Sequence, residues 1–298
     1  MADRVIIDSH HHLWDLSRFP YRWLRPEAPP RPFGDHTAIK RDYLVADYRR
    51  DCAGLRLQGS VHVQANSGAA RPAEETAWLQ ALSAATGTPA AAVGHADLAD
   101  PEVERDLDEH CSHPVARGVR MLLGWHEQPK WRFVEDPRIL ESKAFARGFR
   151  LLAPRRLVFD VVVMPGQLAQ VAALARAFPD TTIVIDHLGM PFLPDDAAAR
   201  TWRDGMESAA ASPNVFVKIS GLWPLERSWS PARLGPEVRF VVDRFGPPRC
   251  MWGSNLPIEK LMCPVDRQIA VLDEILAPLP ADALDWIFRR TAAAVYRL

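Results

Sequence analysis

The chain has 298 residues, 48% hydrophobic and 24% charged, the balance of an ordinary globular protein. With 36 Lys and Arg against 37 Asp and Glu its net charge is -1, which lacks the basic excess of a nucleic-acid binder. No apolar run approaches the roughly 20 residues of a membrane helix, and the scattered Cys52, Cys111, Cys250 and Cys263 form no CxxC pair, which argues against a disulfide scaffold or a Cys-rich zinc site.

The chain opens almost directly on the apolar run VIID (5–8), with no room for a charged, apolar leader, so a cytoplasmic protein with reduced thiols is expected. From Phe19 to Phe33 the prolines exclude a regular helix, while Tyr21 and Trp23 set the stretch apart from a disordered linker. It reads as an ordered aromatic loop, placed to cover a pocket.

Further β-rich runs follow at 59–65, 90–98, 116–123, 156–163, 181–189, 214–221 and 249–255. Several are apolar nearly throughout, as expected of parallel strands covered on both faces. Segments with helical spacing separate them: Glu74–Ala85, Glu102–His110, Gln167–Phe178, Ala198–Ala211, Pro236–Phe245 and Val265–Leu276, with a closing helix over Ala281–Tyr296. Eight β-α units in one unbroken chain predict a single (β/α)8 barrel, one domain over residues 1–298. A doubly wound open sheet is the alternative, weakened in its dinucleotide-binding form because no GxGxxG follows the first strand.

Barrel enzymes draw their chemistry from the C-terminal ends of the strands. The first strand ends Asp8-Ser9-His10-His11-His12, where alternation puts His10 and His12 on one side, fit to ligate a metal or hold an anionic group. Asp8 is placed to orient a neighbouring imidazole. His62 and Gln64 alternate in the second strand, and His62 serves either a site or the barrel core. Arg120 offers a rigid fork for a carboxylate or oxyanion. The sixth strand ends in His187, the seventh in Lys218-Ile219-Ser220-Gly221 and the eighth in Trp252-Gly253-Ser254-Asn255. Lys218 reads as a ligand-facing cation or a rim salt bridge; Trp14, Trp23 and Trp252 lie beside the candidate site.

Asp8-Ser9-His10-His11-His12 resembles the D-x-H-x-H opening of the amidohydrolase superfamily. Together, VIIDSHHHLWD, VHVQA, GVRMLL, VIDHLGMP, VFVKISG and CMWGSNLP look like its amidohydrolase-2 branch, closest to the sugar-lactone and 2-pyrone-4,6-dicarboxylate lactonases. The resemblance implies a TIM barrel that hydrolyses a lactone by water attack on the ester carbonyl. It assigns His10, His12, His187 and Asn255 to catalysis, and it implies that Arg120 holds the substrate. His62, Gln64, Trp14, Lys218 and Trp252 are the further binding candidates. One departure stands out: the usual eighth-strand Asp is Asn255, and an amide cannot act as a general base. The expected partner is a small-molecule substrate, not nucleic acid or a membrane, with a homodimer as the common assembly. No metal is expected to be obligatory; a single zinc would sit on His10, His12 and His187. The competing readings are a metal-dependent decarboxylase of the same branch and a non-catalytic binder that kept the pocket.

Overall fold

The computed structural model describes residues 4–191, 196–223 and 229–298. Eight strands form one parallel sheet in sequence order: β1 Val5–His11, β2 Arg56–Val63, β3 Ala91–His95, β4 Ala116–Leu122, β5 Val158–Val162, β6 Ile183–Ile185, β7 Val215–Ile219 and β8 Cys250–Trp252. Between and after them run α1 Val45–Asp51, α2 Ala73–Thr86, α3 Val103–Cys111, α4 Lys143–Phe149, α5 Leu168–Ala177, α6 Asp196–Ala210, α7 Pro231–Phe245, α8 Val265–Ile275, α9 Ala281–Asp285 and α10 Thr291–Tyr296. The expected (β/α)8 barrel is therefore present. Among the described residues no helix is long and apolar enough to cross a membrane.

The barrel closes where the chain after β8 meets β1. Ser9 Oγ donates to Trp252 O at 2.7 Å, Asn255 N to His10 O at 2.7 Å and His12 N to Leu256 O at 2.8 Å. These bonds carry strand-like pairing past the expected end of VIID, which is why β1 runs on to His11.

Ile7, Val61, Val63, Val93, Val158, Val184 and Met251 fill one apolar cluster, which Ala292, Val295 and Tyr296 of α10 complete. Thr291 bonds Pro247 O just before β8, so α10 stoppers the end where strands begin and leaves the other end open. The expected closing helix is interrupted by one wider π-turn at Trp286–Arg290. α7 begins at Pro231, ahead of the expected Pro236. Ser230 caps it by accepting from Arg233 N at 3.2 Å, and Pro231 fills the first turn, where a missing N–H costs nothing.

Candidate active site

Asp8, at the centre of the closure, accepts Ser254 N (2.8 Å), Ser254 Oγ (2.6 Å), Tyr48 Oη (2.9 Å) and His10 N (3.1 Å). Burial raises its pKa to about 6 against the pull of these bonds. Asp8 thus latches β1 to the β8 loop and orients no imidazole. His11, to which the sequence assigned no role, stacks on Tyr48 and meets Ser60 Oγ at 3.0 Å.

Three imidazoles converge at the open end. The His10 ring centroid lies 5.1 Å from that of His12 and 4.8 Å from that of His187. His10 is fully buried beneath the other two, with Nε2 3.4 Å from Arg120 and Nδ1 3.2 Å from Lys218. Burial and the nearby Lys218 hold its pKa well below the usual value, so it stays neutral.

His12 places Nδ1 2.7 Å from Val63 O and Nε2 3.2 Å from the Asn255 side-chain oxygen, Oδ1, a position the amide NH2 takes if the group is turned over. Burial, then Arg120, keep it neutral too. A neutral ring that donates Nδ1–H to Val63 carries a lone pair at Nε2. The satisfied arrangement therefore turns the Asn255 NH2 to His12 and leaves the amide oxygen for the cavity.

His187 meets Ser220 Oγ through Nδ1 at 2.9 Å, which leaves its other nitrogen for a bound molecule. Burial lowers its pKa to about 4. The backbone from His187 to Met190 has φ of 56°, 51°, 65° and 61°, a left-handed run that costs a side-chain-bearing residue on the order of 1–2 kcal/mol each. Such strain is held where it aims a functional group. Gly221 makes the aim possible: a Cβ there would lie 2.4 Å from the His187 ring.

Beneath the histidines lies a buried charge network. Lys218 Nζ is 2.5 Å from Asp160 Oδ2 and 3.2 Å from Asp186 Oδ1; Arg120 reaches Asp186 Oδ2 at 3.4 Å and also donates to Gln64 O. Tyr296 Oη lies 2.9 Å from Asp160 Oδ2, so α10 touches this network from the closed end. Burial pushes Asp160 up to about 6, whereas the Lys218 ammonium overcomes burial to hold Asp186 well below the carboxylate range. Two cations face two acids, so the cluster is balanced, as buried charge must be.

His12, His187, Arg120 and Asn255 line a cavity of about 120 Å³ at the strand ends. Its outer walls are largely apolar, with Trp23, Phe33, Trp131, Phe133, Leu122 and Val162 among them. The aromatic loop therefore does cover the strand ends: Trp23, Arg31, Pro32 and Phe33 form part of the wall, and Trp23 Nε1 is pinned to Ala65 O at 2.8 Å.

Several sequence candidates lie elsewhere. Trp252 faces outward against Phe288 of the closing segment, at a ring distance of 6.3 Å; a three-residue strand shows no alternation from which to read its direction. Trp14 is buried behind His12 and Trp23, its Nε1 spent on Arg41 O at 2.6 Å. His62 packs edge-on against His11 and His12, with Nε2 3.2 Å from Leu13 O, and is off the cavity wall. Gln64 lines an adjoining recess. Lys218 is fully buried, neither ligand-facing nor at the rim.

For a metal, the described residues bring His10, Asp186 and His187 together, with ligand atoms within 4.8 Å of one another; Asp186 stands where His12 was expected. N and O donors of this kind suit a divalent ion. The surroundings do not fit one, because Lys218 and Arg120 already contact His10 and Asp186 and balance the acids. An added ion would leave excess positive charge in a buried place.

A closed parallel barrel with histidines gathered at its strand ends has the architecture of a barrel enzyme whose site lies at the C-terminal rim. The amidohydrolase family model matches residues 7–298, and the chain belongs to that family. It is 34% identical over 298 residues to the uncharacterized protein y4mH of Sinorhizobium fredii, with 100% of both chains covered. It is 33% identical over 257 residues to an L-fucono-1,5-lactonase of Burkholderia ambifaria, covering 86% of this chain and 81% of the relative. Among solved structures, an amidohydrolase from Burkholderia multivorans with bound zinc superposes with a TM-score of 0.80 at 27% identity, covering 99% of this chain and 100% of that one. The relatives support a hydrolase of the lactonase kind.

Proposed function

We propose that the protein hydrolyses the ring ester of a sugar lactone, with His187 as general base and no metal in the reaction. The observation that carries this reading is the meeting of His12, His187, Arg120 and Asn255 on one wall of one cavity. A neutral His187 can take a proton at neutral pH, which Asn255 cannot. With its amide turned over so that the NH2 meets the His12 Nε2 lone pair, Asn255 presents its oxygen to orient the attacking water.

Water oxygen bonds to the lactone carbonyl carbon as His187 accepts its proton. The charge that develops on the carbonyl oxygen faces Arg120, a term worth roughly 3–4 kcal/mol for a well-placed donor. Collapse breaks the ring C–O bond, and His187 returns the proton to the leaving alkoxide, giving the hydroxy acid. Lys218 and Asp186 keep Arg120 and His10 in place. Likeness to L-fucono-1,5-lactonases supports a sugar lactone over a carboxylated one.

A panel of sugar 1,4- and 1,5-lactones followed with a pH indicator tests this. Acid release is expected on several members, and His187→Ala should lower kcat/KM by about 100-fold or more. No turnover on any lactone, or full activity in His187→Ala, would overturn the reading.

A further inference from the structure

Beside the main cavity, and sharing Arg31, Asn66, Leu122 and Phe133 with it, lies a second recess that reaches Gln64, His95 and Asp97 at the ends of β2 and β3. A smaller hollow continues it along Gln64, Asn66 and Ser67. The two differ in character: beyond its histidine end the main cavity is walled largely by aromatic and aliphatic side chains, whereas this annex sets Gln64, Asn66, His95 and Asp97 opposite an apolar side of Met121, Leu123 and Val134.

Its most telling feature is Gln64. The side chain is 1% exposed, and its Oε1 accepts Asn66 N at 2.7 Å, which fixes the amide so that Nε2 is the donor end. Nε2 has no hydrogen-bond partner. A buried donor left unpaired costs roughly 1–3 kcal/mol, so a fixed one beside a cavity is a place for a ligand acceptor. Asp97 stands on the same wall as an acceptor with negative charge. A hydroxyl, which both accepts and donates, satisfies the pair; a second carboxylate would meet Asp97 as a like charge.

We infer that this annex is a subsite for the hydroxylated chain that a sugar lactone carries outside its ring, with Gln64 Nε2 donating to one hydroxyl and Asp97 accepting from it or its neighbour. The inference rests on the lactonase reading and deepens it. The lactone ring faces Arg120 and His187, and its side chain crosses Asn66 into the recess toward Gln64 and Asp97. Gln64 also ties the two parts together, because its backbone oxygen accepts from Arg120. A lactone whose chain fills the annex is thereby held against the guanidinium that meets its carbonyl.

The test compares galactono-1,4-lactone, which has such a chain, with erythrono-1,4-lactone, which has ring hydroxyls and no chain. The wild type should prefer the former, and Gln64→Leu, which keeps the backbone oxygen, should reduce that kcat/KM ratio about tenfold, mainly through KM. Asp97→Ala, at an exposed position, should act in the same direction without disturbing the core. An unchanged ratio in both variants overturns the subsite while leaving the lactonase reading intact. Calorimetry with galactonate and erythronate reads the annex without turnover: galactonate should bind about tenfold more weakly to Gln64→Leu than to wild type. Equal galactonate binding in both proteins overturns the subsite even if no lactone is hydrolysed.

Discussion

Lys218→Met probes the buried charge network most severely. The substitution keeps an unbranched side chain of similar reach and deletes the ammonium that stands 2.5 Å from Asp160 and 3.2 Å from Asp186, both fully buried. Arg120 still faces Asp186, so the net loss is one cation against Asp160. Removing one partner of a buried pair costs about 3–5 kcal/mol, because the stranded charge cannot be rehydrated. For a chain of this size that is roughly 5–8 °C in Tm. Adding Asp160→Asn removes the stranded charge, so the double variant should regain a large part of the loss, an interaction visible in a double-mutant cycle. Chemical denaturation of wild type, both single variants and the double variant measures it. If Lys218→Met lies within about 1 kcal/mol of wild type, or the double variant is no more stable than Lys218→Met, the proposed balance of charges is wrong.

Because burial lowers the His187 pKa to about 4, kcat/KM should show an acid limb near that value, below any limb near 6 that protonation of Asp8 or Asp160 adds; a profile with no limb near 4 while activity persists there would contradict His187 as the base. Gly221→Ala drives a Cβ to 2.4 Å from the His187 ring and should cost on the order of 100-fold in kcat/KM, with circular dichroism showing the fold retained. Tyr296→Phe removes only the hydroxyl 2.9 Å from Asp160 and should lower unfolding free energy by about 1–2 kcal/mol, read by denaturant titration. Protein treated with a chelator should keep its lactone hydrolysis, and metal analysis should find far less than one zinc per chain.

The barrel was legible because strands covered on both faces become nearly continuous apolar runs, as in β5, β6 and β7, where at most one charged residue interrupts. His12, His187 and Arg120 were legible because polar residues that end such runs have few places to go but the rim. What closure alone creates was hidden. Asp160 is a single acid inside FDVVV, and its meaning comes from Lys218, 58 positions on, and Tyr296, 136 positions on. Asp186 was overlooked beside His187, although an acid at the end of an apolar strand was a usable signal. Trp252 went astray because β8 is too short for alternation to show which way it faces. The aromatic loop was recognised from Tyr21 and Trp23 among prolines, yet Arg31, which faces two cavities, gave no sign in sequence of doing so.

Steady-state hydrolysis of galactono-1,4-lactone by chelator-treated wild type and His187→Ala, run side by side, bears most directly on the claim that an uncharged imidazole activates water in a site whose positive charge comes from the chain itself. The account predicts turnover by the wild type and at least about 100-fold less by the variant. Equal rates in the two proteins, or activity that vanishes with the chelator and returns with zinc, would contradict it.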